Sequence, residues 1–197
     1  MQRADVKDIA TAFAAEDADL TAMKLQKLVY YVQAWHLARF GEPAFDDDIQ
    51  AWSQGPVVRT LYALHRGLRR VGGMAWGDAR RLPESVGLIV ELVRSRYGAL
   101  SGDELSRITH RERPWRAARG HLPEEASSEA PIDLAELRDF HRRQGGRRSS
   151  AVLDALASVR LEGGEPTPQA RALAEAVVEG RLSAQEALAR TVAAHRR

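Results

Sequence analysis

The stretch from Thr21 to Leu37 sets the tightest limit on what this chain can become. Leu25, Leu28, Val29, Val32 and Trp35 form one apolar stripe at helical spacing, while Tyr30, Ala34 and Leu37 put bulk on another side. A helix apolar on more than one side must be enclosed by other elements, so this segment is expected to be the central helix of the fold. Val6, Ile9, Ala10 and Phe13 predict a short amphipathic helix between Asp5 and Asp17, and Gly41 and Pro43 end the central one. Ile49 to Trp52 is expected to run extended. Gly55-Pro56 then reads as the opening of a helix through Val57, Val58, Leu61, Tyr62 and Leu64. After an interruption at Gly67 to Gly73, Val86, Ile89, Val90, Val93 and Tyr97 resume the helical period, with Gly98 placed to close it. Ser101-Gly102-Asp103-Glu104 fits a capping box, in which hydroxyl and carboxylate each satisfy a free backbone N–H, and Leu134, Leu137 and Phe140 predict one more helix.

The fold class expected is therefore mainly α: a compact helical N-terminal domain with at most short strands, followed by a small three-helix C-terminal tail. The boundary falls at a basic Gly-Gly linker, 144–149, between a domain over 1–143 and a tail over 150–197. Within the tail, Gly163-Gly164 and Gly180 stop helices, Thr167-Pro168 starts one, and Ser183-Ala184-Gln185-Glu186 is a second capping box. Rich in Ala, the tail has little to bury by itself and is expected to need the first domain or a partner.

Composition narrows the functions. With 44% hydrophobic residues in 197, the chain has enough apolar material for a core. No apolar run approaches the roughly 18 residues of a membrane span, and the N-terminus lacks the plan of a secretion signal, so the protein is expected to be cytoplasmic. The absence of Cys removes disulfides, thiolate metal sites and thiol nucleophiles. A net charge of +2 does not by itself argue for nucleic acid. Arg142, Arg143, Arg147 and Arg148 around the Gly-Gly pair form either a solvated linker or a contact with a phosphate backbone. No metalloprotease, phosphate-loop or nucleophile-elbow motif occurs, and His110 and Glu112, two apart, point to different sides of a helix. No catalytic residues, metal site or cofactor are expected.

Three ordered blocks carry a resemblance. Thr21 to His36 (TAMKLQKLVYYVQAWH), Asp48 to Val58 (DIQAWSQGPVV) followed by Leu61-Tyr62, and Leu100 to Ser106 with Thr109-His110-Arg111-Glu112 and Pro114-Trp115 together resemble the Panacea domain, over roughly residues 4–143. The resemblance implies an antitoxin that binds and neutralises a cognate toxin, and one relative of the family delivers its toxin to a protease. Contact residues differ between members, so none carries over. By spacing, Lys24, Lys27 and Tyr31 lie at i, i+3 and i+7 on one helix side, either a contact strip for the toxin or a solvated face. Trp35, Trp52, Tyr62 and Trp115 are expected in the core.

The tail holds a sharper pattern. Ser158-Val159-Arg160-Leu161-Glu162-Gly163 fits a motif of Ser or Thr, three residues, Glu, then Gly or Asn, placed where a helix ends and glycine best tolerates the turn. With the downstream segments Glu165 to Ala170 and Val178 to Ala187, it resembles the small antitoxins related to VbhA, which inhibit Fic-type AMP transferases in trans. The resemblance implies that Glu162 pairs with the arginine that grips the ATP γ-phosphate, Ser158 seats the helix, and Gly163 lets the chain turn away. Ala155 shares the face of Ser158 and Glu162 and permits close approach. The partner implied is a Fic AMP transferase, with operator DNA as a further partner reached through the toxin–antitoxin complex. The alternative is an antitoxin or protease adaptor that acts on an unrelated toxin through its first domain alone, with an incidental tail motif.

Overall fold

In the computed structural model, which describes residues 2–144, helix α2 (Ala22–Phe40) is buried at every residue from Leu25 to Leu37. It starts where the Thr21 hydroxyl accepts from Lys24 N (3.2 Å) and stops at Gly41, whose φ of 76° lets its N–H return to Leu37 O. Around it pack α1 (Val6–Ala14), β2 (Gly55–Val58), α3 (Arg59–His65), α4 (Glu84–Tyr97) and α5 (Gly102–Arg111), with β1 (Ile49–Trp52) paired to β2. Helices α6 (Arg113–Arg119) and α7 (134–144) complete the described fold, together with a 3-10 turn at Ala79–Arg81. The fold is mainly α, as expected, and no helix among the described residues is long and apolar enough to cross a membrane. The linker beyond 144 and the tail helices lie outside the described residues.

Local signals place most helix starts. Asp5 caps α1 by accepting from Lys7 N, and Ser101 and Glu104 close the expected capping box on α5. Tight packing follows at that end of α5: a Cβ added to Gly102 would lie 3.1 Å from Lys24 N and 3.2 Å from Met23 Cβ, so glycine permits the close approach to α2.

The helix expected from Gly55-Pro56 is corrected. Gly55 to Val58 is a strand, antiparallel to β1 with Ala51 opposite Pro56 and Ile49 opposite Val58, and α3 starts only at Arg59. Gly55 has φ 98°, which belongs to a tight hairpin and not to a helix start. The outer side of β1 is covered by the segment 130–132: Ala51 N donates to Ala130 O and Ile132 N to Ile49 O, both at 2.8 Å. Helix α6 has no counterpart in the periodicity; it is short, with Pro114 in its first turn.

Gln33, on α2, fixes the chain leading into the hairpin. Its side-chain carbonyl accepts from Ala44 N (2.7 Å) and Phe45 N (3.3 Å), and its amide donates to Phe45 O (3.1 Å). One neutral side chain thus satisfies three backbone groups that would otherwise be buried without partners.

Candidate functional site

Two polar contacts flank α2, and both use residues of the blocks singled out above. On the hairpin side, β2 would present an open strand edge. Gln26 closes it as a neighbouring strand would: Oε1 accepts from Val58 N (2.8 Å) and Nε2 donates to Val58 O (3.3 Å), while the same amide meets His65 Nε2 at 2.8 Å. Lys27 completes the edge, its Nζ donating to Pro56 O at 3.1 Å. The amine fits because Gly55 has no side chain; a Cβ there would lie 2.8 Å from Lys27 Cε and 2.9 Å from Thr109 Oγ1. Burial lowers the Lys27 amine to about 7, since the charged form has lost its water.

One turn further along the same side of α2, Glu112 joins α5 to α6, ending one helix and preceding the other. Its carboxyl group turns inward, 5% exposed, and accepts from Tyr30 OH (2.8 Å) and Tyr31 OH (2.9 Å). Burial raises the Glu112 carboxyl to about 7, against the opposing pull of the two hydroxyls. Tyr31 stacks on Tyr97 with ring centroids 4.0 Å apart, and Trp35 Nε1 donates to Tyr97 OH at 3.1 Å. Burial pushes the Tyr97 phenol up to about 12 and holds both Tyr30 and Tyr31 well above the ordinary tyrosine range. His141 of α7 completes the junction.

These positions correct the expected contact strip. Lys27 is 1% and Tyr31 0% exposed, because that side of α2 looks onto the hairpin and the α5–α6 junction instead of solvent. Lys24 alone keeps a partly exposed side chain, paired with Asp17 at 2.9 Å. Trp35 and Trp115 lie in the core as expected, whereas Trp52 and Tyr62 are half-buried and meet edge to face at 4.8 Å. His110 and Glu112 diverge as their spacing requires: His110 pairs with Glu124 at 2.5 Å and stacks on Trp115. Sequence reasoning missed Gln26 and the inward turn of Glu112. It also missed Arg119, whose guanidinium holds the carbonyls of Ala51, Pro123, Glu124 and Ala126. Nothing local distinguishes these three from surface residues.

Among the described residues no group of three or more His, Asp or Glu is placed to hold a metal ion. The two contacts on α2 are buried and internally bonded, so they hold the fold and offer no group to a partner. More open ground lies elsewhere, at Leu64 and Leu68 (38% and 44% exposed) beside the exposed Arg66 and Arg69. Ala155, Ser158, Glu162 and Gly163 lie outside the described residues.

Residues 25–116 match the family described as antitoxin SocA-like, Panacea domain, and residues 148–194 match the family described as antitoxin VbhA. The first match runs from α2 into α6 and so contains Gln26, Lys27, Tyr30, Tyr31 and Glu112; α1 and α7 fall outside it. No curated protein and no solved structure matches the chain.

Proposed function

Because the chain joins a SocA-like Panacea antitoxin domain to a VbhA antitoxin segment, we propose that it is an antitoxin whose cognate toxin is a Fic-type AMP transferase, inhibited through the tail. The observation that carries this reading is that the second match, 148–194, contains the whole pattern Ser158-x-x-x-Glu162-Gly163. In this mechanism Glu162 pairs with the toxin arginine that otherwise holds the γ-phosphate of ATP. The nucleotide is then misplaced, and a target hydroxyl is no longer in line with the α-phosphate. Ser158 and the small Ala155 seat the inhibitory helix, and Gly163 turns the chain away. The protein itself performs no catalysis and acts in the cytoplasm.

The first domain adds affinity or selectivity for the same toxin, with Lys24 as its one expected contact that keeps exposure. Two linked binding regions raise affinity through effective concentration when the linker allows both to engage. The arginines around Gly145-Gly146 give the toxin–antitoxin complex a means to touch operator DNA.

The test is co-expression of the Fic partner with the wild-type protein or with Glu162→Gly, measuring growth, transfer of labelled AMP to cell proteins, and co-purification of the pair. The expected result is that the complex persists while inhibition is lost. Full protection by the variant would overturn the mechanism and assign neutralisation to the first domain.

A further inference from the structure

Helix α7 is held to the rest of the described domain by Leu137 and His141, both 0% exposed. The His141 ring is enclosed by aromatic edges, with Trp35 at 5.3 Å and Tyr31 at 6.0 Å between centroids. Its Nδ1 lies 3.2 Å from Leu137 O, one turn earlier, and since a carbonyl only accepts, Nδ1 carries the hydrogen. In the neutral ring Nε2 is then a bare lone pair. It is buried, has no hydrogen-bond partner, and faces Glu112 Oε2 at 3.8 Å. That oxygen already accepts from Tyr30, and the other carboxyl oxygen accepts from Tyr31. Two acceptors thus face each other in the interior, and only a proton between them satisfies both.

We infer that Glu112 Oε2 and His141 Nε2 share one proton, and that this proton latches α7 onto the α5–α6 junction, so that losing it loosens α7. A shift of about 0.8 Å brings the pair to ordinary hydrogen-bond length. The surrounding groups leave no other donor for Nε2. From α2, Tyr30 and Tyr31 spend their hydroxyls on Glu112. From α4, Tyr97 accepts from Trp35, and the Arg96 guanidinium lies 4.7 Å over the Trp35 ring. Arg96 adds positive charge that disfavours a second proton on His141. Burial, the largest influence on each partner, raises Glu112 to about 7 and lowers His141 to about 4, so the shared proton resides on the carboxyl group and leaves as pH passes neutrality. The latch is therefore closed in mild acid and open in mild alkali. It is independent of which toxin the protein binds.

The experiment is hydrogen exchange of the 134–144 amides in the full chain at pH 6.0 and 8.5, corrected for intrinsic exchange. Because His141 takes up a proton when α7 opens at the lower pH, protection is expected to fall by only about two- to threefold at the higher pH. Glu112→Gln supplies an amide N–H that does not titrate, and should keep α7 protected at both values; His141→Phe removes the acceptor, and should abolish the difference. Equal protection at the two pH values in the wild type, or a difference that survives in both variants, would overturn the latch. The nitrogen-15 shift of His141 Nε2 in the wild-type protein provides a readout that needs no variant. It should move from a hydrogen-bonded to a free lone-pair value over the same range, and a constant shift would equally rule the proton out.

Discussion

Two successive turns on one side of α2 solve one problem with opposite chemistry. Toward the hairpin, a neutral amide and a buried amine donate to backbone carbonyls; toward the α5–α6 junction, two phenols donate to a buried carboxyl group. Both contacts bury an ionisable group, and in both, burial drives it toward its neutral form. The difference lies in the direction of the response to pH. Lys27 is lowered to about 7 from the 10.5 it has when solvated, so the unfolded chain binds the extra proton between those values. Its contribution is fully present above about 10.5 and is lost as pH falls through about 7. Glu112 is raised to about 7 from 4.5, and its contribution is present below 4.5 and lost as pH rises through about 7. His141, lowered from 6.5 to about 4, contributes above 6.5 and loses that contribution as pH falls through 4. Between these limits the folded junction holds its proton on Glu112 and the unfolded chain holds one on His141, so the pair largely cancels in global stability. The junction therefore responds to pH only weakly, through α7, whereas the hairpin side responds through global stability.

The largest blow to this arrangement should come from Glu112→Ala. It strips both tyrosine hydroxyls of their acceptor and leaves a void where three helices meet, at a cost of about 3–4 kcal/mol. Chemical denaturation at pH 7 measures it, and a loss below about 1 kcal/mol would mean that the carboxyl group is not the hub of the junction. One turn earlier, Gln26→Ala leaves the N–H and C=O of Val58 without a partner and should cost about 2–3 kcal/mol. Because that loss opens a strand edge, it should also raise exchange at Gly55–Val58 before it affects α7. Simultaneous loosening of the two would erase the distinction between the contacts.

What could be seen in the sequence follows the range of the interactions involved. Ser101 is legible as a helix start because a cap bonds within three residues, and α1 and α2 are legible from their apolar period. The enclosed character of α2 was legible because apolar residues on several sides have few other uses. Gly55-Pro56 misled because the pair suits a helix start and a hairpin equally. What decides for the hairpin is the amide of Gln26, 32 residues upstream of Val58. Lys27, Tyr31 and Glu112 belong to residue types that favour the surface, and their burial depends on partners up to 82 positions away. In the tail the legibility is reversed: Ser158, Glu162 and Gly163 stand out as a pattern, and their role rests on resemblance.

The smallest expected effect is the most discriminating, because it should be a gain. Lys27→Met keeps the length and apolar stem of the side chain but removes an amine that stabilises one carbonyl and loses its hydration. At pH 7 the wild-type amine is close to its folded midpoint, and the unfolded chain gains by charging it. The variant should therefore be more stable by about 1–2 kcal/mol, even with Pro56 O left unpaired. Raising the pH should shrink that advantage, because the unfolded wild-type chain loses the same incentive as it approaches 10.5. Denaturation of both proteins at pH 7 and pH 9.5 should give curves that converge, with the wild type gaining stability and the variant nearly flat. Parallel curves would mean that Lys27 is charged and paired in the folded state. The hairpin contact would then be held by an ion, and its contrast with the neutral junction one turn along α2 would be of a different kind.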